Sequence, residues 1–248
     1  MPSKLQLKKF DLKRVPDDAV CVFIGKRRTG KSFLLTDLLF HKKHLPVGVV
    51  MSGTEDGNHH FSQFVPDLFV HGDFKVDILN NVMNRQRRLV NSGAPNPQAF
   101  ILLDDCMYDA RFMRETVIRQ ILMNGRHWKL FLAITMQYCM SIGPDLRANV
   151  DFVFILRENI RANREKLWKA FAGIFPTFAE FNQVMDACTE NYECLVIDNT
   201  SKSNNIEDCV FWFKARERKG FRVGSRALWK AHNTKYDKSN TTRTQEMA

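Results

Sequence analysis

The stretch FIGKRRTGKS, residues 23–32, holds Gly25, Gly30, Lys31 and Ser32 in the spacing G-x-x-x-x-G-K-[ST]. Each residue type suits phosphate chemistry. Glycines let the main chain wrap closely round phosphate oxygens, so successive N–H groups and a helix N-terminus face the negative charge. A lysine after the second glycine reaches the β and γ phosphates, and the following hydroxyl binds Mg²⁺. Gly25, Lys26, Arg27, Arg28, Thr29, Gly30, Lys31, Ser32 and Phe33 are therefore the candidate nucleotide-binding residues, with ATP and Mg²⁺ as the expected ligands. Arg27 and Arg28 add positive charge that contacts the nucleotide, meets a neighbouring subunit or faces solvent.

Two further acids and an amide extend the set. In FILLDD, residues 100–105, four apolar residues precede Asp104 and Asp105. An acid at the end of such a strand is the second metal-binding signature of P-loop proteins, so Asp104 is expected to hold Mg²⁺ through water. Asp105 stands where ATPases of this class usually carry a glutamate that polarises the attacking water; it is one methylene shorter. Capping of the next helix is the structural reading of the same pair. Gln137 ends KLFLAITMQ, and an amide can both donate to a phosphate oxygen and accept from water. That suits a sensor of the γ phosphate on a strand between the first strand and the metal-binding strand.

The elements that must position these residues are legible as periodicity. AVCVFIG (19–25), VGVVMS (47–52), AFILLDD (99–105), KLFLAITMQ (129–137) and DFVFILR (151–157) are short apolar runs. KSFLLTDLLFHKK (31–43) and VDILNNVMNRQRRLVN (76–91) carry apolar residues at helical spacing. Strands alternating with helices predict an α/β fold around a mainly parallel sheet covered on both faces. YECLVID (192–198) and DCVFWFKA (208–215), joined by a polar link, predict an antiparallel C-terminal hairpin that extends the sheet. Residues 1–215 form the expected P-loop domain and 216–248 a basic, flexible tail.

Composition narrows the partners. The 248 residues are enough for one core, no apolar run is long enough to span a membrane, and the N-terminus lacks a secretory core. The six cysteines show no zinc spacing, which predicts reduced, mostly buried thiols and an intracellular setting. Lys and Arg outnumber Asp and Glu 37 to 27, and from Lys214 onward they do so ten to three. Such a tail can neutralise nucleic-acid phosphates, with Trp229 and Tyr236 stacking on bases; a solvated terminus is the other reading.

The glycine loop, FILLDD, NGRHWKLFLAITMQ and PDLRANVDFVFIL together resemble the genome-packaging ATPases of nucleocytoplasmic large DNA viruses, within the FtsK–HerA superfamily of DNA-pumping motors. The resemblance covers about residues 16–215, and its most specific parts are NGRH (124–127), the strand ending in Gln137, and Leu146 to Asp151. It implies ATP and Mg²⁺ on Gly25, Gly30, Lys31, Ser32 and Asp104, with Gln137 as sensor and the additional-strand class of P-loop fold. In this superfamily arginine fingers come across a subunit interface, commonly from just before the sensor strand. Arg126 holds that place, and Arg147 is the second candidate; a surface ion pair or a DNA-phosphate contact is the alternative for each. The resemblance further implies a homo-oligomeric ring, sequence-independent contact with double-stranded DNA, and capsid or portal-vertex proteins as partners. The place of action would be the virus assembly site or the virion. Asp105 departs from the superfamily's usual glutamate, and no nuclease domain is evident. The rivals are a helicase or recombination ATPase, a nucleic-acid scaffold that binds nucleotide without turnover, and a small-molecule kinase.

Overall fold

The computed structural model describes residues 5–106 and 112–236. Its nine strands form a single sheet: β1 (Lys8–Lys9), β2 (Val20–Ile24), β3 (Val47–Ser52), β4 (Val70–His71), β5 (Ala99–Asp104), β6 (Leu130–Met136), β7 (Phe152–Ile155), β8 (Glu193–Asp198) and β9 (Val210–Lys214). Their order is β1-β9-β8-β7-β2-β6-β5-β3-β4. Only β8 runs against the others, pairing antiparallel with both β7 and β9. The expected C-terminal hairpin is therefore present, and the sheet is otherwise parallel.

The central strands VCVFI, AFILLD and LFLAITM are buried at every position. Helices cover both faces, so neither face needs polar residues and the runs read as continuously apolar rather than alternating. One core lies between the sheet and the helices Val76–Asn91, Thr116–Asn124, Arg161–Phe171 and Phe178–Cys188. The other lies beneath α1 (Lys31–His41), whose Leu34, Leu35, Leu38 and Leu39 are all buried. Burying a leucine contributes about 1.5–3 kcal/mol, so α1 is held by packing along its whole length. Five of the six cysteines are buried, and none is bonded to another.

The edge strands β1 and β4 have two residues each, too short for any period to announce them. Short edges, one of them a pair of lysines, also resist unwanted pairing with other chains.

The region expected to be a flexible tail is folded as far as residue 236. The Asp37 carboxylate, buried on α1, accepts from the Arg216 backbone N–H at 2.8 Å and from Arg218 Nε at 2.7 Å. Phe221 is buried and stacks on Phe64 with ring centroids 4.5 Å apart. Val223 donates its backbone N–H to the Phe64 carbonyl at 2.9 Å. Ser225 caps a helix over Arg226–Lys235 that buries Leu228. The excess of charge masked these apolar residues, which is why the domain boundary at 215 does not mark the end of the packed chain. Trp229 is half-buried and gives its indole N–H to the Val223 carbonyl at 2.9 Å. Residues 237–248 of the expected tail lie outside the described residues.

Candidate active site

The parallel register brings the chemistry to one edge. Ile24 pairs with Met136 on one side and Ile155 on the other, and Leu103 pairs with Ile134. Gly25, Asp104, Asp105 and Gln137 thus meet at the carboxyl ends of β2, β5 and β6, where open α/β sheets bind ligands. β6 is the additional strand between the glycine-loop strand β2 and the Asp104 strand β5, as expected.

The loop turns into α1 through Gly30, whose φ of 96° lies in the left-handed region open to glycine. At Gly25 a side chain would collide with Thr29 Oγ1 at 2.7 Å and Leu156 Cβ at 2.9 Å. Lys31 is buried and donates to the carbonyls of Gly25 at 2.9 Å and Lys26 at 3.1 Å. Burial lowers its pKa, while Asp105 and then Asp104 oppose the shift. The ammonium is thus held inside the loop by two main-chain carbonyls.

Asp104 is 1 % exposed, and three hydroxyls serve its carboxylate. Thr135 Oγ1 donates to it at 2.8 Å, Ser32 Oγ at 3.1 Å and Ser52 Oγ at 3.4 Å. Burial pushes its pKa up; the Thr135 bond opposes this, Asp105 adds to it, and Ser32 and Lys31 oppose it. Hard oxygen donors from Ser32 and Asp104 side by side, beside a phosphate loop, fit Mg²⁺, which keeps several waters and takes one or two protein oxygens.

Asp105 adopts φ 48°, a left-handed conformation that aspartate tolerates better than most residues. Its backbone N–H donates to Thr135 Oγ1 at 3.0 Å. Its Oδ1 lies 3.3 Å from Gln137 Nε2 and 3.9 Å from Lys31 Nζ. Asp105, Gln137 and Lys31 therefore converge at the mouth of the glycine loop.

Lys26 forms a 2.7 Å ion pair with Glu158, just past β7, and bonds Asn159 at 2.8 Å. Burial alone would raise the Glu158 carboxyl, but Lys26, the Ile160 N–H and Asn163 outweigh it and hold the pKa below its ordinary value. Arg27 and Arg28 are exposed, as is Phe33 on the first turn of α1.

The two finger candidates stand apart from this cluster. Arg126 precedes β6, at the opposite end of the sheet, and pairs with Asp151, which itself accepts the Val20 N–H at 2.8 Å. Its side chain is 62 % exposed. Arg147 lies over the Phe171 ring at 5.7 Å in the helical layer. Neither reaches the phosphate loop of its own chain.

Thr135, Ser52 and Glu158 were missed in the sequence. Thr135 had a signal: it is the one hydroxyl in the apolar run LFLAITM. Ser52 and Glu158 had none, because only strand pairing sets them beside Asp104 and Lys26.

The chain is 37 % identical over 244 residues to protein L437 of Acanthamoeba polyphaga mimivirus, covering 95 % of this chain and 86 % of that one. It is 39 % identical over 194 residues to protein 075L of Invertebrate iridescent virus 6, covering 77 % and 75 %. The chain belongs to this family of large-DNA-virus proteins. No protein-family model matches it. Among solved structures, it shares the fold of the genome packaging NTPase B204 of Sulfolobus turreted icosahedral virus 2 in complex with AMPPCP. That match has a TM-score of 0.57 at 14 % identity, over 82 % of this chain and all of the other. The pCW3 conjugation coupling protein TcpA, bound to ATPγS, gives 0.52 at 13 % identity over 84 % and 62 %. The family's fold is thus that of P-loop ATPases, with a mostly parallel sheet flanked by helices.

Proposed function

We propose that this protein hydrolyses ATP to drive double-stranded DNA into a viral capsid. The observation that carries the reading is the convergence of Lys31, the Ser32–Asp104 pair, Asp105 and Gln137 across three adjacent strands. The fold shared with a viral genome packaging NTPase supports the work that the hydrolysis would perform.

Lys31 would leave the carbonyls of Gly25 and Lys26 for the β and γ phosphates. Ser32 would ligate Mg²⁺ and Asp104 would hold its water shell; when bound, the ion neutralises charge on the β and γ oxygens. Gln137 holds the Asp105 carboxylate, and together they would orient the attacking water and sense the γ phosphate. Asp105 would accept the water's proton, its left-handed backbone aiming the shorter side chain. Arg126 would act on the nucleotide of a neighbouring subunit, with Arg147 as the second candidate, which requires a ring. Basic residues lining the ring would hold the DNA backbone without reading sequence. Capsid or portal-vertex proteins would complete the assembly at the virus assembly site or in the virion.

The test is steady-state ATP hydrolysis with and without long double-stranded DNA, alongside Lys31→Ala. Turnover that DNA stimulates and Lys31→Ala abolishes is expected. Phosphoryl transfer to a small acceptor, indifferent to DNA, would overturn the motor in favour of a kinase.

A further inference from the structure

The catalytic cluster fixes which way a nucleotide must lie. Asp104, Asp105 and Gln137 place the γ-phosphate end on the β5–β6 side of β2. The base must then leave the loop elsewhere. Across β2 lie the ends of β7 and β8, and there the structure holds a cleft of about 400 Å³ between the loop residues 26–29, Arg157, Asn159 and the turn through Thr189–Tyr192.

The cleft has an aromatic wall. Tyr192 is 70 % exposed, the most exposed of the large hydrophobic side chains among the described residues. Its ring borders the phosphate loop directly: a Cβ built on Gly30 would lie 3.3 Å from Tyr192 Cδ1. The turn that presents it is an unusual one. Asn191 and Tyr192 both adopt left-handed φ, 49° and 63°; asparagine tolerates that region, whereas tyrosine resists it. Thr189 Oγ1 bonded to the Met185 carbonyl at 2.6 Å, and the Glu193 N–H bonded to the Glu190 carbonyl at 2.8 Å, hold the turn. A displayed aromatic, kept in place at a conformational cost beside a phosphate site, is a platform waiting for a flat ligand. Asn191 in the same wall offers an amide donor and acceptor, the pair that reads the edge of adenine. Arg28 and Arg157 at the rim are exposed cations.

Resting on the nucleotide reading above, we infer that this cleft is the nucleobase pocket and that Tyr192 stacks on the base of bound ATP. Lys31, Ser32, Asp104, Asp105 and Gln137 serve the phosphate and metal end of the proposed site; this pocket adds the part that distinguishes a nucleotide from a bare polyphosphate.

The experiment is calorimetric binding of ATP and of inorganic tripolyphosphate to the full chain and three variants. Loss of base stacking weakens binding by about five- to 150-fold. Tyr192→Ala is expected to lose that factor for ATP and none for tripolyphosphate, and Tyr192→Phe to retain the parent affinity for both. Lys31→Ala is expected to lose both ligands. ATP affinity unchanged in Tyr192→Ala while Lys31→Ala loses binding overturns this inference alone. ATP bound normally by Lys31→Ala overturns the phosphate-loop reading and this inference with it. An equal loss for ATP and tripolyphosphate in Tyr192→Ala overturns the stacking role, because the residue would then support the loop. Unchanged ATP affinity with lost stimulation of turnover by DNA also overturns it, and gives the cleft to a nucleic-acid strand.

Discussion

Thr135→Val separates the support of the buried acid Asp104 from the acid itself. Thr135 is fully buried, and valine matches its shape, so packing is preserved while one hydroxyl is removed. That hydroxyl donates to Asp104 at 2.8 Å and accepts from the Asp105 N–H at 3.0 Å. A donated bond to a charged group contributes about 1.5–3 kcal/mol and a neutral one about 1 kcal/mol. Ser32 and Ser52 still bond Asp104, so the variant should lose about 2–4 kcal/mol of stability. The Asp104 share has a definite pH sign. Its folded pKa is already raised, so the folded chain holds the proton more tightly than the unfolded one, and stability falls as pH rises through that folded value. Losing the Thr135 bond raises the folded pKa further. The gap between variant and parent should therefore widen towards pH 8 and narrow as pH falls towards the ordinary carboxylate range. Urea unfolding in magnesium-free buffer at several pH values measures this, with Thr135→Ser as the control that keeps the hydroxyl. A pH-independent gap, or one below about 1 kcal/mol at pH 8, would refute the assignment of Thr135 as the principal donor to an ionised Asp104.

Two further outcomes follow from the geometry. Phe221→Ala, which removes a ring stacked at 4.5 Å on Phe64, should cost about 3 kcal/mol in chemical unfolding; parent-like stability would mean that residues 216–236 do not belong to the core. Arg126→Ala removes an ion pair whose arginine is mostly exposed, so stability should fall by no more than about 1 kcal/mol. ATP turnover should fall by about 10³ or more if Arg126 is the trans finger, and parent-like turnover would pass that role to Arg147.

The sequence by itself determined the phosphate loop, the acid after an apolar strand, the additional strand and the hairpin. These are local: Gly25 and Gly30 are required by backbone shape, and buried strands such as VCVFI must be apolar whatever their neighbours. In the fold, Asp104 accepts from Ser32 and Asp105 lies 3.9 Å from the loop lysine. The tertiary structure decided what depended on neighbours distant in the chain. Thr135 and Ser52 became partners of Asp104 only through strand order, and Glu158 reached Lys26 only because β7 lies beside β2. Asp37, inside a helix and acidic in a leucine-rich stretch, gave no sign that it would anchor Arg216 and Arg218. The packing of residues 216–236 escapes the sequence for the same reason. Charge is counted along the chain, whereas burial of Phe221 and Val223 depends on the surfaces of Phe64 and α1 that the fold brings to meet them.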